Sequence, residues 1–282
     1  SQTEGMGKEL YHNNAQAEDL FEQANSNLGW RITDVMFDGT KEDLTQTNVT
    51  QPAVFLESIV RAKIAGDAFS PFAVAGHSLG EFTALAAAGA LSFEDALLLV
   101  NQRAAAMQKA CERVDGTMAA VLGMDDADVE RVVGAIKDEV VVSANYNSPG
   151  QLVISGSRAG IELAVARLIE AGAKRVVVLP VGGAFHSPLM QPAQDELEQA
   201  INATHFNTPI CPVYQNVHAQ AVTDPEAIRK NLVAQLTAPV RWTQTAENMI
   251  ASGITEFVEV GAGMVLRGLI KKINREVATS GL

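Results

Sequence analysis

The chain has 282 residues, 47% of them hydrophobic and 19% charged, a composition that supports a sizeable core and excludes disordered and collagen-like proteins. Its formal net charge of −12 disfavours nucleic acid and anionic membrane surfaces as partners. No apolar stretch reaches the roughly 18 residues of a membrane span, the first residues lack a secretory pattern, and the two cysteines lack metal-ligand spacing, so we expect a cytoplasmic protein.

Before residue 114 the pattern predicts helices around one short strand. A buried apolar run predicts the strand, and the residues after it are rich in Ala and Leu, which favour helix. Pro52 is expected to open the second helix, because proline is tolerated in a first turn. The predicted helices cover 15–29, 52–66, 81–91 and 93–112, and the strand covers 71–78.

The middle of the chain changes to the order β-α-β-β-α-β. The residues at 147–150, Asn-Ser-Pro-Gly, supply turn chemistry between the two central strands. This order is typical of a ferredoxin-like unit, so we predict an inserted subdomain over 114–183. The predicted strands are 118–124, 140–147, 151–156 and 174–180, and the helices are 125–136 and 158–173.

After the insert, the alternation of helices and strands resumes. Helices are predicted at 191–205, 227–236 and 242–253, and strands at 212–217 and 255–261. Strands separated by helices on both sides of the insert favour one mostly parallel sheet covered on both faces. The predicted fold class is therefore α/β, with a large α/β-hydrolase-like domain over 1–113 and 184–282 that is interrupted by the insert.

The sharpest local motif is Gly76-His77-Ser78-Leu79-Gly80, a G-x-S-x-G between a predicted strand and a predicted helix. That context is what a nucleophile elbow requires. Glycines allow the close backbone approach of a strained turn, and the helix N-terminus favours a developing negative charge. Ser78 is therefore the candidate nucleophile.

A serine of ordinary pKa needs a base within hydrogen-bond reach. Among the five histidines, His77 neighbours the serine but should point away from it in an elbow, which leaves a packing role. His186 follows the last strand of the insert and a glycine pair, in a loop of the kind that carries catalytic groups. His186 is the candidate base, with a structural histidine as the alternative.

No acidic residue between Ser78 and His186 stands out as the third member of a hydrolase triad. Arg103 does stand out, because it lies in an otherwise apolar helix where a charge needs a partner. Two interpretations stay open at this point. Arg103 either forms a structural ion pair or binds a substrate carboxylate.

Six segments, in order, resemble the malonyl-CoA:acyl-carrier-protein transacylases. They are GHSLGE around Ser78, RAAAMQ from Arg103, NYNSPGQLVISG, GAFHSPLM around His186, AQLTAPVRW and EVGAGMVLRGL. Together they run across nearly the whole chain. The resemblance implies a large hydrolase-like domain that carries a ferredoxin-like one.

The resemblance also implies a role for each matching residue. Ser78 becomes the nucleophile, His186 the base, and Arg103 the group that binds the malonyl carboxylate, for which a planar guanidinium is suited. The backbone carbonyl of Gln235 orients the histidine in place of an acid. The N–H of Leu79, the residue after the nucleophile, donates to the oxyanion.

Other residues carry weaker implications. Phe185, just before the histidine, resembles the pattern of malonyl-selective members, so the expected acyl group is malonyl. Asn145, Asn147 and Gln151 match a segment near the family's substrate cleft, and a simple turn role is an equal alternative.

The implied reaction is ping-pong transfer of malonyl from malonyl-CoA to the phosphopantetheine thiol of acyl carrier protein, supplying fatty-acid synthesis. No cofactor is expected, since the coenzyme A thioester is a substrate. Acyl carrier protein is acidic, so a local basic patch must receive it. The candidates are Lys174 with Arg175, and Lys271, Lys272 and Arg275.

Two other classes of protein stay open. An esterase or thioesterase would use the same elbow with water as acceptor, although the missing acid and Arg103 argue against it. A scaffold would keep the fold without turnover. Family members begin with a strand ending in Phe-Pro-Gly-Gln-Gly, and this sequence starts at the Ser-Gln that follows it. We expect the natural protein to carry that segment upstream, or this form to be impaired.

Overall fold

The computed structural model describes residues 2–282 and has a mixed α/β fold. The helices are α1 (Lys8–Asn13), α2 (Ala15–Leu28), α3 (Ile32–Asp38), α4 (Lys41–Thr45), α5 (Thr47–Ile64), α6 (Leu79–Ala87), α7 (Phe93–Arg113), α8 (Asp126–Gly134), α9 (Arg158–Glu170), α10 (Gln191–Ala203), α11 (Pro225–Ala234), α12 (Trp242–Ala251) and α13 (Val265–Ile273). Short 3₁₀ turns lie at Gly66–Ala68 and Pro188–Met190. The strands are β1 (Val74–Ala75), β2 (Gly116–Leu122), β3 (Val141–Ser148), β4 (Gln151–Ser157), β5 (Arg175–Val178), β6 (Val213–Tyr214), β7 (Ala221–Val222), β8 (Glu256–Glu259) and β9 (Ala278–Gly281).

Local capping explains where the long helices begin. The Ser92 side chain accepts a hydrogen bond from the Asp95 N–H at 3.0 Å and caps the start of α7. Acidic residues in the first turn also stabilise the helix, because they interact favourably with its dipole. Asn14 caps α2 in the same way, and Gly29, at φ +73°, ends it. Both helices match the predicted ranges to within one residue.

The expectation that Pro52 opens a helix is wrong. Helix α5 begins five residues earlier, and Pro52 lies inside it. The N–H groups of Val49 and Thr50 both donate to the Gln46 carbonyl, so the first turn forms without the proline. Pro52 is the sixth residue of the helix, past the four N–H groups that lack a helical partner, and it removes one backbone hydrogen bond from the helix.

The order β-α-β-β-α-β is present between residues 116 and 178. Its four strands form an antiparallel sheet in the order β3-β4-β2-β5, with Thr117 opposite Gly156 and Val121 opposite Val176. Helices α8 and α9 pack on this sheet around their own apolar cluster, whose buried members all lie between Ala119 and Leu168. The largest cluster of the molecule draws no member from this part of the chain.

The single, mostly parallel sheet expected outside the insert is not what residues 2–282 form. Strands β1 and β6 pair in parallel, with Val74 opposite Val213, and β7 adds an antiparallel edge. Strands β8 and β9 form a second parallel pair, with Glu256 opposite Ala278. The apolar runs predicted the positions of β1, β6 and β8 in the chain. They did not predict how the strands pair, because the partner of a strand is not specified by its local pattern.

The expected lengths of β1 and β6 were also too long, since each has only two residues. Most of the large buried cluster comes instead from helices, above all α5 and α7, which pack on each other and on α6. Strand β1 contacts α6 and leads directly into the G-x-S-x-G turn. No helix among residues 2–282 is both long and apolar enough to cross a membrane.

Candidate active site

Ser78 lies in a strained turn between β1 and α6. Its φ of +53° and ψ of −109° are unusual for a residue with a side chain. The turn is tight because the backbone of Gly76 passes against that of Gly80, where a Cβ on Gly76 would lie 1.9 Å from the Gly80 carbonyl carbon. The second glycine is different, since a Cβ on Gly80 would meet nothing within 4 Å.

His186 lies within hydrogen-bond distance of the serine. Its Nε2 is 2.7 Å from the Ser78 Oγ. Its Nδ1 is 3.0 Å from the carbonyl oxygen of Gln235 and 3.2 Å from that of Ala238. Because carbonyl oxygens only accept, Nδ1 carries the proton, and Nε2 is free to accept the serine proton. The imidazole is thus oriented by two backbone carbonyls.

The environment of His186 keeps the imidazole neutral. Burial, with the nearby Arg103 cation, lowers the pKa of His186 to about 3. The ring is 5% exposed. Its own backbone has a positive φ of +55°, so the structure holds both Ser78 and His186 in sparsely populated conformations.

Arg103 is buried beside the serine, with 1% of its surface exposed. Its Nη2 donates to the Ser78 Oγ at 3.0 Å and to the Gln235 Oε1 at 3.3 Å, and its Nη1 donates to the Gln51 Oε1 at 2.5 Å. The Nε has no hydrogen-bond partner among residues 2–282. Within the described part of the chain, no carboxylate lies within 4.0 Å of this guanidinium, which is evidence against the structural ion pair.

Desolvation lowers the pKa of Arg103 to about 10, so the guanidinium stays protonated at neutral pH. A buried cation whose neighbours are neutral amides and a hydroxyl is costly unless an anion joins it. The site therefore contains a positive charge that touches the candidate nucleophile and has no carboxylate in contact among residues 2–282, although the buried Glu81 attracts it from a longer distance.

Gln235 contacts three parts of the site. Its carbonyl accepts from His186, its Nε2 donates to the Ser78 carbonyl at 2.9 Å, and its Oε1 accepts from Arg103. Leu79 is the first residue of α6, and its N–H donates to no acceptor among residues 2–282. Phe185 is half-buried and packs between the large cluster and a small one around Met118.

The structure thus brings Ser78, His186, Arg103 and Gln235 together, as the sequence analysis expected. His77 points elsewhere, with its Nε2 2.8 Å from the Asn147 Oδ1 and its ring against Trp242. Gln151 accepts a hydrogen bond from Lys272. Asn145 forms an isolated bridge with Val240.

Sequence reasoning missed three buried polar residues at this site: Gln51, Glu81 and Asn216. Glu81 opens an apolar helical segment, the same signal that singled out Arg103, and this signal could have found it. Gln51 lies among polar residues before the predicted helix, and no such signal marks it. Asn216 follows a short strand, and nothing in the local sequence indicates its role.

The Glu81 carboxylate accepts the Asn216 N–H at 2.6 Å and the Gln215 Nε2 at 3.1 Å. Burial raises the pKa of the Glu81 carboxyl to about 7, although these donors act in the opposite direction.

Residues 1–279 match the profile of the acyl transferase domain family. The chain belongs to this family. It is 43% identical to a malonyl CoA-acyl carrier protein transacylase of Bacillus subtilis (strain 168), over 99% of this chain and 89% of that protein. It is 40% identical to a protein of the same name from Staphylococcus aureus (strain MRSA252), over 100% and 92%.

Solved structures of the acyl transferase family superpose closely on this one. An acyl carrier protein S-malonyltransferase from Vibrio cholerae has a TM-score of 0.95 at 39% identity, over 100% of this chain and 93% of that one. A malonyl-transacylase in complex with its type II PKS acyl-carrier protein has a TM-score of 0.95 at 35% identity, over 100% and 92%. The resemblance drawn from the sequence motifs is confirmed, and the chain is an acyltransferase.

Proposed function

We propose that this acyltransferase moves a malonyl group from malonyl-CoA to the phosphopantetheine thiol of acyl carrier protein, through a malonyl ester on Ser78. The observation that carries the proposal is Arg103, a buried cation without a carboxylate partner, which donates to the Ser78 Oγ. The names of the relatives reported above, which are malonyl transacylases, support malonyl as the acyl group.

In the first half-reaction, the His186 Nε2 takes the Ser78 proton as Oγ attacks the thioester carbonyl carbon. The N–H of Leu79 donates to the resulting oxyanion, at the N-terminus of α6 where partial positive charge accumulates. The tetrahedral species collapses, the C–S bond breaks, and His186 returns the proton to the coenzyme A thiolate. A malonyl ester then remains on Ser78.

In the second half-reaction, His186 takes the proton of the phosphopantetheine thiol, and the sulfur attacks the ester carbonyl. Breaking the ester bond transfers malonyl to the carrier, and the proton returns to the Ser78 Oγ. The two steps use one base and one nucleophile, so the cycle is ping-pong. The steps need no cofactor, and their product would supply fatty-acid synthesis.

Arg103 provides selectivity in this mechanism. A malonyl carboxylate would accept two parallel hydrogen bonds from the guanidinium, whereas an acetyl group would leave the buried charge unpaired. The Phe185 ring would border the acyl group and leave little room for a branched one.

The acidic carrier protein would approach one of two basic clusters. In the first, Lys174 and Arg175 are exposed. In the second, Lys271 donates to backbone carbonyls and Lys272 donates to Gln151, while Arg275 is exposed. The side chains of the first cluster are therefore more available to bind an acidic partner than those of the second.

For the architecture, we propose an α/β-hydrolase-like domain over 1–113 and 184–282 with a ferredoxin-like subdomain over 114–183. The strand order of the four-stranded sheet and its separate apolar cluster support this division.

Intact-protein mass spectrometry after brief incubation with malonyl-CoA tests the function. We expect a single malonyl adduct on the unaltered chain and none on Ser78→Ala. The matched control is Ser252→Ala, because Ser252 also donates a hydrogen bond within the fold, to the Met249 carbonyl, but lies just after the end of α12. If neither this chain nor a form that carries the expected upstream segment gains an adduct, or if Ser78→Ala still carries one, the proposal is wrong.

A further inference from the structure

The elbow that carries Ser78 is held in shape by a side chain from a distant part of the chain. Asn216 follows β6 and is 1% exposed. Its Oδ1 accepts the Ser78 N–H at 2.8 Å, and its Nδ2 donates to the Gly76 carbonyl at 2.6 Å. One amide thus bridges the two residues that flank His77, as a neighbouring strand would.

This bridge acts where the backbone is most strained. Ser78 has a positive φ, and such a conformation persists only when surrounding contacts enforce it. The Gln235 Nε2 donates to the Ser78 carbonyl, so side chains hold both backbone groups of the serine. The Oγ position, and hence its distance to His186, depends on these contacts.

Asn216 also limits which amides can stabilise an oxyanion. The Ser78 N–H is already committed to the Asn216 Oδ1, while the Leu79 N–H has no acceptor within residues 2–282. Of these two neighbouring amides, only the second is available to substrate. The bridge therefore directs the thioester oxygen towards Leu79.

Glu81 in turn fixes Asn216. The backbone N–H of Asn216 donates to the Glu81 Oε2 at 2.6 Å, and Glu81 is fully buried one turn after the nucleophile. On the other side, the Arg241 N–H donates to the Asn216 carbonyl. The loop that follows contains Ala219 at φ +55°, whose N–H donates to the Gln215 carbonyl and whose carbonyl accepts from the Asn248 amide.

We propose that Asn216 is a positioning residue for the acyl transfer, that it fixes the Ser78 backbone and reserves the Leu79 N–H for the oxyanion, and that Glu81 acts through it. This inference rests on the proposed function, because its readout is the formation of the malonyl ester. Neither residue touches the substrate in this scheme.

The test measures the rate of malonyl-serine formation by rapid quenching and mass spectrometry, across a range of malonyl-CoA concentrations. A displacement of the reacting atoms by about 1 Å costs up to about 100-fold in rate. We therefore expect Asn216→Ala to lower the maximal rate about 10- to 100-fold, with the half-saturating malonyl-CoA concentration unchanged.

Two further variants separate positioning from folding. Asn216→Asp keeps the acceptor for the Ser78 N–H and should be faster than Asn216→Ala. The matched control is Asn25→Ala, which also removes a buried amide, one that donates to the Thr33 hydroxyl and lies outside the network of Asn216 and Glu81. It should retain the unaltered rate, and thermal melting of each variant shows whether it is folded.

A double-mutant cycle tests the link to Glu81. If Glu81 acts through Asn216, then Glu81→Ala and Asn216→Ala together are no slower than the slower single variant. Glu81→Gln keeps one acceptor oxygen and should recover most of the rate. If the two losses of rate add in the double variant, Glu81 does not act through Asn216.

The two proposals fail in different ways. If neither this chain nor a form that carries the expected upstream segment forms a malonyl ester, the proposed function is wrong. If the ester forms and Asn216→Ala forms it as fast as Asn25→Ala does, only the positioning role is wrong. A rise in the half-saturating concentration with an unchanged maximal rate would also overturn it.

Discussion

The site contains two buried ionisable groups that do not pair directly with each other. Arg103 donates only to amide oxygens and to a hydroxyl, and Glu81 accepts only from amides. Each charge is costly where it lies, and each is stabilised by hydrogen-bonding dipoles and by a longer-range attraction between the two groups. A carboxylate that enters beside Ser78 would give the arginine the partner that the free protein lacks.

Replacing Arg103 should therefore change which acyl group is transferred. We expect Arg103→Ala to lower malonyl transfer by about 100-fold or more, because truncating one partner of a buried charge pair costs about 2–5 kcal/mol. Acetyl transfer should fall less. The measurement is the ratio of adduct formation from malonyl-CoA and acetyl-CoA.

The control for this ratio is Arg131→Ala, since Arg131 is an exposed arginine that pairs with Asp128 on α8. It should leave the ratio unchanged. A ratio for Arg103→Ala equal to that of the unaltered chain would contradict the docking role.

The neutral state of His186 predicts an unusual pH profile. Its pKa is lowered to about 3 in the folded protein, against about 6.5 for an ordinary histidine. A lowered histidine pKa contributes stability that is fully present above pH 6.5 and is lost as pH falls towards 3. The base is therefore unprotonated at pH 5.

We expect the rate of malonyl-serine formation to show no loss from histidine protonation between pH 7 and pH 5. The measurement is the single-turnover rate across this range. Glu81→Gln is the control, because the Glu81 carboxyl, with its pKa of about 7, also titrates there. A tenfold fall per pH unit below about 6.5 in both proteins would contradict the lowered pKa of His186.

At the scale of elements, the site depends on how β1 meets α6. The strand is only two residues long, so the turn is fixed by the packing of α6 against α5 and α7 and by the close approach of two glycines. The motif contains two glycines, but the structure requires only one of them for steric reasons.

This asymmetry predicts different outcomes for two similar substitutions. Gly76→Ala would drive a Cβ into the Gly80 backbone and should destabilise the fold by more than about 4 kcal/mol. In Gly80→Ala the added Cβ would meet nothing within 4 Å. Because alanine favours helix more than glycine does, this variant should leave the free energy of unfolding unchanged or raise it by up to about 1 kcal/mol. Chemical denaturation measures both, and equal losses would contradict the asymmetry.

At the scale of the whole molecule, a net charge of −12 opposes the approach of an acidic carrier protein. Productive encounter then depends on a local basic surface. Lys174 and Arg175 form no ion pair with the described residues and stand exposed at the start of β5. They are the stronger of the two candidate clusters.

Reversing both charges, as Lys174→Glu with Arg175→Glu, should slow transfer to carrier protein about tenfold or more at low salt. The measurement starts from the preformed malonyl-enzyme, so coenzyme A binding does not contribute. Transfer to a small thiol should not change. Lys137→Glu, an exposed lysine of the same subdomain, is the control, and equal slowing with both acceptors would contradict a docking role.

The sequence by itself determined much of the local structure. Periodicity predicted the first and last residues of α2 and α7 to within one residue. Turn residues and apolar runs predicted the order of strands and helices between β2 and β5. The G-x-S-x-G motif predicted Ser78 as the nucleophile, and a charge in an apolar helix singled out Arg103. These signals are local, because each depends on residues within a turn or two of one another.

Only the tertiary structure decided the rest. Ser78, His186, Gln235 and Asn216 are distant in the chain, and their distances depend on how β1, β6 and the loops beyond them pack. The pairing of β1 with β6 and of β8 with β9 was also beyond local pattern, because a strand's partner is chosen by the whole fold. Asn216 was not recognised for the same reason: its amide gains a function only where the chain folds it against the elbow.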